Sequence, residues 1–410
     1  MNVMKKIVLI FTTVAAGVGV SLGLGANNDI QLNNSLRFSW DDNYYQAKTN
    51  KTSTGSITEQ PEIVANYNRE TTYLGLHYRP SFTWFLNPDI DRRQTVQHEL
   101  DATWNQTLSP RFSFTLTDTL RRGLQPELLD RNNQFVFPDQ SYLENSLGGS
   151  VGIQLRETTR VDVSGRYYDL RYDEAAVASN NNYKIYSGGL TLRQEISKAT
   201  SVMGMLNFDS VTYTATGSYA ARSSSTTSAG VGLDQVFSPR LLGSISGGWQ
   251  YRGFELSSIS GQNSPYGNFS LTYLFNPRLR MTAGAGYSLW EATIQPYASQ
   301  ERLSSFASVG YDITARMSFY ISGGVTRGKY LAEQAANQGS AIVEGANQTS
   351  VTGQPVIDGV DTIYQAGARL AYQLLRHNWV DIGYSYTTLS SDLRPDFDKN
   401  IYDVGWRVTF

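Results

Sequence analysis

Residues 401–410, the last ten of the chain, read IYDVGWRVTF and alternate between apolar and polar or small side chains. The even-numbered positions hold Val404, Trp406, Val408 and Phe410, and the odd-numbered positions between them hold Asp, Gly, Arg and Thr. We call each such set of alternate positions along a strand one parity. Successive side chains of a β-strand point to opposite faces, so a period of two gives a strand one apolar face and one polar face. The stretch therefore predicts a two-faced β-strand at the C-terminus.

The same alternation recurs upstream, for example over residues 74–84, 279–289 and 364–374, and no segment shows a sustained helical period. Triplets such as Ser109-Pro110-Arg111 predict short turns, because proline pre-sets a turn and removes a ladder donor. These short turns alternate along the chain with longer polar connections. Counting between these breaks predicts about 18 strands. Their predicted bounds are about 35–45, 58–68, 72–86, 93–108, 111–123, 141–156, 160–173, 183–197, 200–216, 225–237, 241–256, 265–275, 279–295, 303–313, 317–330, 362–375, 379–390 and 399–410.

The composition excludes several classes of protein. Of 410 residues only 17% are charged, below the roughly 25% of a soluble domain. Past residue 26 no apolar run approaches the roughly 20 residues that a spanning helix needs. The chain has no cysteine, which argues against disulfides and thiolate metal sites. Lys and Arg total 34 against 36 Asp and Glu, which argues against nucleic-acid binding.

The two faces of the predicted strands differ in a way that favours a membrane barrel over a soluble sandwich. The polar face is rich in Gly, Ser, Thr, Gln and Asn and poor in Lys, which suits a water-filled lumen. Trp40, Trp84, Trp104, Trp249 and Trp406 fall on the apolar parity, as expected of aromatic girdles at a lipid boundary. Short turns on one rim and long loops on the other are also typical of such barrels. We predict an all-β fold, a transmembrane antiparallel up-and-down β-barrel formed by residues 27–410 as a single domain.

The N-terminus predicts export. Residues 1–26 read MNVMKKIVLIFTTVAAGVGVSLGLGA, in which Lys5 and Lys6 precede an apolar run and small residues follow. This order is typical of a secretory signal peptide. We predict cleavage after Ala26, with Gly23 as a rival site.

The C-terminal segment resembles the last strand of bacterial outer-membrane proteins, which ends in an aromatic residue after alternating hydrophobic residues. In that group the strand is recognised by the barrel-assembly machinery, which the resemblance implies as a partner. The residues that carry the resemblance are Tyr402, Trp406, Val408 and Phe410.

In pattern and length the whole mature chain resembles porin-like β-barrel families, some of which are linked to exopolysaccharide operons. The resemblance implies the outer membrane of a Gram-negative bacterium, with membrane lipid and lipopolysaccharide as partners. No plug domain precedes the predicted barrel, which argues against an energised siderophore-type transporter.

Charged residues on the polar parity are the predicted lining of a pore, and the two signs balance. A strongly selective ion pore would present a ring of one sign, so balance predicts cross-strand ion pairs and weak ion preference. Arginine rather than lysine suits paired contacts. The predicted pore-lining residues are Arg37, Arg79, Arg156, Arg166, Arg193, Arg252, Arg280, Arg369, Arg407, Asp41, Glu99, Asp101, Asp162, Glu195, Asp234, Asp312, Asp381 and Asp403.

Two long connections stand out. Residues 124–140 read LQPELLDRNNQFVFPDQ and are too apolar to be expected in water, so we predict that they fold into the barrel as a constriction. Residues 331–361 are rich in Gly, Asn and Gln, as expected of a surface loop. The candidate constriction residues are Glu127, Asp130, Arg131, Phe135 and Phe137.

The sequence offers little for catalysis, so we predict neither an enzyme nor a cofactor or metal. His77, His98 and His377 show no metal-ligand spacing. His98 is the single formal candidate for a lipase-type site on the outer face, which would need a serine and an acidic orienter beside it.

The prediction is a passive porin-like diffusion channel for small hydrophilic solutes. Alternatives are an accessory barrel for exopolysaccharide export or attachment, in which Tyr73 and Tyr168 stack on sugars, and a structural or adhesive barrel.

Overall fold

The computed structural model is a closed antiparallel β-barrel of 18 strands. It describes residues 28–90, 93–124, 141–214, 222–292, 294, 297–335, 342–343, 349–350 and 356–410. Each barrel strand pairs with its sequence neighbours, and the first strand pairs with the last, for example Arg37 with Gly405. Closure leaves no open sheet edge, which is the condition for strands to cross hydrocarbon. The predicted fold class and strand number are confirmed.

The barrel strands are 13 to 17 residues long, more than the 9–11 that a tilted strand needs to cross a bilayer. They are β1 (Asn28–Asp41), β2 (Thr54–Asn68), β3 (Thr72–Phe85), β4 (Gln94–Ser109), β5 (Phe112–Leu124), β6 (Ser141–Arg156), β7 (Thr159–Tyr172), β8 (Tyr183–Ser197), β9 (Thr200–Tyr213), β10 (Ser224–Ser238), β11 (Leu241–Phe254), β12 (Gln262–Asn276), β13 (Leu279–Glu291), β14 (Ser299–Thr314), β15 (Met317–Tyr330), β18 (Gly359–Leu375), β19 (Asn378–Ser391) and β20 (Phe397–Thr409).

The remaining elements lie in the long connections. Helix α1 (Ala175–Asn181) joins β7 to β8, and a single 3-10 turn covers Ala332–Gln334. Two further strands, β16 (Ile342–Val343) and β17 (Thr349–Ser350), pair only with each other. No helix of the described part of the chain is long and apolar enough to span a membrane.

The two rims differ as the sequence predicts. One rim carries tight turns such as Asn276-Pro277-Arg278, where the Asn276 side-chain oxygen accepts the backbone N–H groups of Arg278 at 2.8 Å and Leu279 at 2.9 Å. An Asx turn of this kind reverses the chain within two residues. The other rim carries the long loops, and we name the two ends the short-turn rim and the long-loop rim.

The alternation of side chains separates an outer face from an inner wall. Large apolar side chains on one parity are exposed, among them Trp40, Trp104, Trp249 and Ile382. A barrel in lipid exposes its apolar residues outward because the surrounding solvent is hydrocarbon. The opposite parity faces the lumen, and we name that face the inner wall.

The structure differs from the sequence prediction at several places, including strand ends that lie about four residues from the predicted bounds, as at Thr54, Glu291 and Ser299. β1 begins at Asn28, about seven residues before the predicted start, because residues 28–34 pair with 61–67 of β2. Helix α1 is not predicted, since seven residues are too short for a helical period to be visible. β9 ends at Tyr213 rather than near 216.

Candidate functional site

The inner wall carries a four-residue ion cluster across the line where the barrel closes. Arg37 of β1 lies against Asp381 of β19, with Nη1 2.9 Å from Oδ2 and Nη2 3.1 Å from Oδ1. Arg369 of β18 makes the matching contact with Asp403 of β20, at 2.9 and 3.1 Å. Each arginine also contacts the other aspartate, Arg37 with Asp403 and Arg369 with Asp381. The cluster contains two charges of each sign, and we name it the seam quartet.

Two glycines make room for the seam quartet. Gly383 pairs with Arg369 and Asp403 in the strand register, and Gly405 pairs with Arg37 and Asp381. A Cβ atom at Gly405 would lie 2.7 Å from Arg37 Nη2 and 2.7 Å from Asp381 Oδ1. The guanidinium and carboxylate groups therefore extend over the glycine backbone and meet across four strands.

Other predicted lining residues also form close pairs on the inner wall. Each pair joins an arginine or lysine to a carboxylate, on the same or a nearby strand. Such pairs reduce the field that either charge alone would send into the lumen. The pairs are Arg193–Asp234 at 2.5 Å, Arg160–Asp162 at 2.7 Å, Lys399–Asp41 at 2.6 Å and Arg79–Glu99.

Two members of these groups are absent from the predicted set. Arg160 lies next to Asp162, and its parity in β7 would have identified it. Lys399 of β20 is buried and reaches Asp41 of β1. Its partner lies at the other end of the sequence, so only barrel closure brings the two together.

A second group on the inner wall surrounds His77 of β3. Its Nε2 lies 2.6 Å from a carboxylate oxygen of Glu62, and its Nδ1 lies 3.7 Å from Asp101. The Thr119 hydroxyl donates to Asp101 at 2.8 Å. Within the described residues, no cluster of three or more His, Asp or Glu has an arrangement that could hold a metal ion.

Towards the long-loop rim the inner wall is covered by a packed apolar cluster. Tyr168, Tyr183 and Tyr213 pack with tilted rings along neighbouring strands, and Val177 of α1 belongs to the same cluster. We name this group the mouth cluster. Tyr168 is completely buried in it, so the expectation that Tyr168 stacks on a sugar in the lumen is wrong.

Buried charges anchor the mouth cluster to the wall. The Arg222 guanidinium lies 4.4 Å from the centre of the Tyr213 ring and donates to Asn181 Oδ1 of α1 at 3.0 Å. Arg252 and Glu291 form a buried pair at 3.0 Å, and the Tyr213 hydroxyl donates to Glu291 at 3.3 Å. The β7–β8 connection is therefore held against the wall rather than extended away from it.

The loops before β14 and β18 form a second packed group. Tyr297 is buried against Tyr330, with ring centres 5.3 Å apart, and its hydroxyl donates to the Ile357 carbonyl. Burial, together with the nearby Asp358 carboxylate, raises the pKa of Tyr297 to about 12. The phenol is therefore neutral at physiological pH.

The remaining predicted lining residues also lie on the inner parity. The Arg166 guanidinium lies 5.9 Å from the Tyr168 ring, and that of Arg407 lies 5.1 Å from the Trp379 ring. Four others lie towards the short-turn rim, namely Arg156, Glu195, Arg280 and Asp312. Their role in permeation stays a prediction.

Two sets of predicted residues remain, the constriction candidates and the assembly signal. The candidate constriction residues Glu127, Asp130, Arg131, Phe135 and Phe137 lie outside the described residues, as does the predicted signal peptide. Of the predicted assembly signal, Tyr402, Trp406 and Val408 share the outer parity of β20. Phe410 follows that strand, and its backbone N–H donates to Leu32 of β1 at 2.8 Å. Its recognition by the assembly machinery stays a prediction.

His98 lies on the outer face, and its aromatic neighbour there is Tyr78. Its Nδ1 lies 2.8 Å from the Tyr78 hydroxyl, and the two rings are parallel at 6.2 Å. Its register partners are Pro80 and Arg122.

Comparison with known proteins identifies the family. A family model described as "Putative beta-barrel porin 2" matches residues 30–410. The chain belongs to this family. It is accordingly a porin-like channel of the bacterial outer membrane, as the resemblance implied. No curated protein matches the sequence significantly.

Several solved structures are similar in fold to this porin-like barrel, at low sequence identity. OccK1 (OpdK) of Pseudomonas aeruginosa is 11% identical with a TM-score of 0.46, over 93% of this chain and 99% of that one. OccK2 (OpdF) of the same organism, solved in complex with glucuronate, is 9% identical with a TM-score of 0.49, over 93% and 98%. OpdK of P. aeruginosa with vanillate is 12% identical with a TM-score of 0.46, over 93% and 99%.

Proposed function

We propose that this porin-like protein is a passive pore for small hydrophilic solutes, with weak preference between cations and anions and no catalytic step. The observation that carries the proposal is the seam quartet, in which two arginines and two aspartates neutralise one another on the inner wall. A pore that selects strongly by charge presents a ring of one sign. Here the charges face each other within the wall.

The other inner-wall pairs support the same proposal. Arg193–Asp234 and Arg160–Asp162 are each neutral. His77 with its two carboxylates carries excess negative charge, whereas Glu99 lies between Arg79 and Arg121 and that group carries excess positive charge. The two excesses are of opposite sign and lie on neighbouring strands, so they offset each other.

Size, rather than charge, would then select the solute. The mouth cluster and α1 narrow the lumen from one side of the long-loop rim. We propose that residues 124–140 form a further constriction, as their apolar sequence predicts. Deleting residues 125–140 should raise single-channel conductance in planar bilayers, and an unchanged conductance would contradict the constriction.

The export route belongs to the proposal as well. We propose that residues 1–26 are removed after secretion and that the barrel-assembly machinery recognises Tyr402, Trp406, Val408 and Phe410. The mature barrel of residues 27–410 would then contact membrane lipid and lipopolysaccharide through its outer face.

The proposed function is tested with the refolded protein in planar bilayers under a KCl gradient. We expect stable ohmic conductance and a reversal potential close to zero. The double variant Asp381→Asn/Asp403→Asn leaves both arginines of the seam quartet without carboxylates and should shift the pore towards anions. Arg37→Gln/Arg369→Gln should shift it towards cations. A barrel that does not conduct, or a wild-type pore with strong selectivity for one ion, would overturn the proposal.

An accessory barrel for a polysaccharide is the second candidate. Phe306 favours it, because it lies on the inner wall and about half of its side chain is exposed. Exposed aromatic rings along a lumen can stack on the rings of a passing sugar chain. Movement of a long polysaccharide, but not of monosaccharides, across liposomes would favour this candidate over the first.

A further inference from the structure

A concavity of about 500 Å³ lies in the inner wall between β7 and β13, on the lumen side of the mouth cluster. Seven consecutive strands contribute to its lining. At its edge nearest the mouth lie the apolar side chains of Ile185, Val211 and Leu289. The concavity opens to the lumen, so a solute that enters the pore reaches it without any movement of the wall.

A row of uncharged polar residues, all but Ser264 among its lining residues, crosses this concavity. The register places Ser164 beside Gly189, then Asn207, Ser228, Gln250 and Ser264 in turn on adjacent strands. Asn207 Nδ2 lies 3.4 Å from Ser228 Oγ. Ser164, Asn207 and Ser228 present hydroxyl and carboxamide groups along the row, on strands spaced roughly 4.8 Å apart. Gln250 and Ser264, in contrast, are buried and donate to the Pro265 carbonyl.

Glycine at position 189 keeps this row open. A Cβ atom there would lie 2.6 Å from Ser164 Oγ and 3.0 Å from Asn207 Oδ1. Any other residue would therefore displace one of the two polar groups. The hollow in the row is bordered by an oxygen atom on each side.

An aromatic side chain lies along the wall next to the row. Tyr266 of β12 pairs with Gly248 of β11, which pairs in turn with Gly230 of β10. A Cβ atom at Gly230 would overlap the Tyr266 hydroxyl oxygen. The Tyr266 side chain therefore crosses β11 to reach β10 and lies over the two glycines instead of projecting across the pore.

The charges around the concavity are of both signs. Arg252 and Glu291 are buried and paired at 3.0 Å, and the Arg252 Nε also donates to Thr226 at 2.9 Å. Arg166 and Asp209 lie in the next row, one of each sign, on either side of β8. A solute that carried a net charge would gain little from such surroundings, whereas a neutral polar solute would not be repelled.

From this combination we infer that the concavity is a binding subsite for a neutral polyhydroxylated ring, that is, one unit of a saccharide. Carboxamide and hydroxyl groups in a row can donate to and accept from vicinal hydroxyls, and an aromatic face takes the C–H face of the ring. Small-molecule sites in proteins are commonly concave and partly apolar, with a few polar groups that orient the ligand. The inference rests on the proposed function, because the solute must enter the pore.

The inner wall outside the concavity supplies matched controls. Tyr320 of β15 and Gln365 of β18 lie on the inner wall and are exposed, yet neither lines the concavity. Tyr320→Ala therefore removes the same groups as Tyr266→Ala, and Gln365→Ala removes a carboxamide, as Asn207→Ala does. Any effect that comes only from widening the lumen should appear in both members of each pair.

The experiment measures the half-blocking concentration of maltotriose on the ion current of the full-length protein in planar bilayers. We expect a saturable block. We expect Tyr266→Ala and Asn207→Ala each to raise the half-blocking concentration about tenfold, the equivalent of one lost stacking or hydrogen-bonding contact. Tyr266→Phe should retain the block because the ring is kept. Tyr320→Ala and Gln365→Ala should leave it within about twofold of the unmodified protein.

Calorimetric titration of the folded barrel in detergent with maltotriose gives an independent readout. If the barrel does not conduct but binds maltotriose in a Tyr266-dependent manner, the proposed channel fails and the subsite stands. If the barrel conducts but maltotriose neither blocks nor binds, the subsite is wrong and the channel stands. An equal loss of binding in Tyr266→Ala and Tyr320→Ala would also overturn the subsite.

Discussion

Arg37 in the first strand of the barrel holds Asp381 in the last strand but one, through contacts of 2.9 and 3.1 Å, although 344 residues separate them in the sequence. Strand β20 lies between them, and its Gly405 leaves the space in which the two side chains meet. The same contact therefore joins the two ends of the chain and neutralises two charges of the pore wall. One cluster thus contributes both to the closure of the barrel and to the electrostatics of its lumen.

Breaking the seam quartet should destabilise the barrel. Arg37→Gln leaves two aspartates facing each other without one of their cations, and we expect a loss of about 1–3 kcal/mol in the free energy of unfolding. Denaturant titration of the refolded protein in lipid vesicles measures this loss. Arg280→Gln, on the inner wall near the short-turn rim, is the control, with an expected change within about 0.5 kcal/mol.

A double-mutant cycle separates the contact from other effects of the substitution. Arg37→Gln combined with Asp381→Asn should cost less than the sum of the single changes, with a coupling of about 0.5–3 kcal/mol. Strictly additive losses would mean that the two residues do not interact.

A methyl group at position 405 should disturb the same cluster without changing any charge. Gly405→Ala would place a Cβ atom 2.7 Å from atoms of Arg37 and Asp381, so we expect a loss of about 1–3 kcal/mol from overpacking. Gly188→Ala is the matched control, because a Cβ atom there meets nothing within 4 Å. Both variants are compared by denaturant titration. Equal stabilities would show that the quartet does not depend on the space above Gly405.

Tyr297 should titrate at a higher pH than exposed tyrosines do. Burial raises its pKa to about 12, so its folded pKa lies above the ordinary value near 10. For a group with a raised pKa, the contribution to stability is full below the unfolded pKa and is lost as the pH rises through the folded pKa. We therefore expect the packing of Tyr297 against Tyr330 to persist to about pH 10 and to weaken towards pH 12.

Carbon NMR of protein labelled at tyrosine Cζ measures this titration directly. The signal that is missing from the spectrum of Tyr297→Phe is assigned to Tyr297. The midpoint of its chemical-shift titration should lie about two pH units above the midpoints of exposed tyrosines. A midpoint near pH 10 would contradict the buried environment.

Removing the cover of the mouth cluster should widen the pore. Val177 of α1 packs on Tyr168 and its neighbours, and Asn181 receives a hydrogen bond from Arg222. Replacing residues 174–181 with a short Gly-Ser link should raise single-channel conductance, because the connection no longer lies over the inner wall. Replacing the exposed residues 48–50 of the β1–β2 loop is the control and should leave conductance unchanged. If both replacements act alike, α1 does not narrow the mouth.

The sequence by itself determined the class of fold, the number of strands, their approximate bounds and the face on which each residue lies. These properties follow from local signals, namely a period of two and turn residues such as Pro110 and Pro277. Trp249, Ile382 and Arg369 could be assigned to a face because side chains alternate strictly along a strand. The balance of charges on the polar parity was also visible in the sequence.

Only the tertiary structure decided which of those residues meet. The contacts of Arg37 with Asp381 and of Lys399 with Asp41 depend on how the first and last strands align when the barrel closes, and no local pattern encodes that register. The burial of Tyr168 under α1 depends on the path of a loop, and the row from Ser164 to Ser264 depends on five successive registers. Alternation is a property of each strand alone, whereas pairing across strands depends on the closed barrel as a whole.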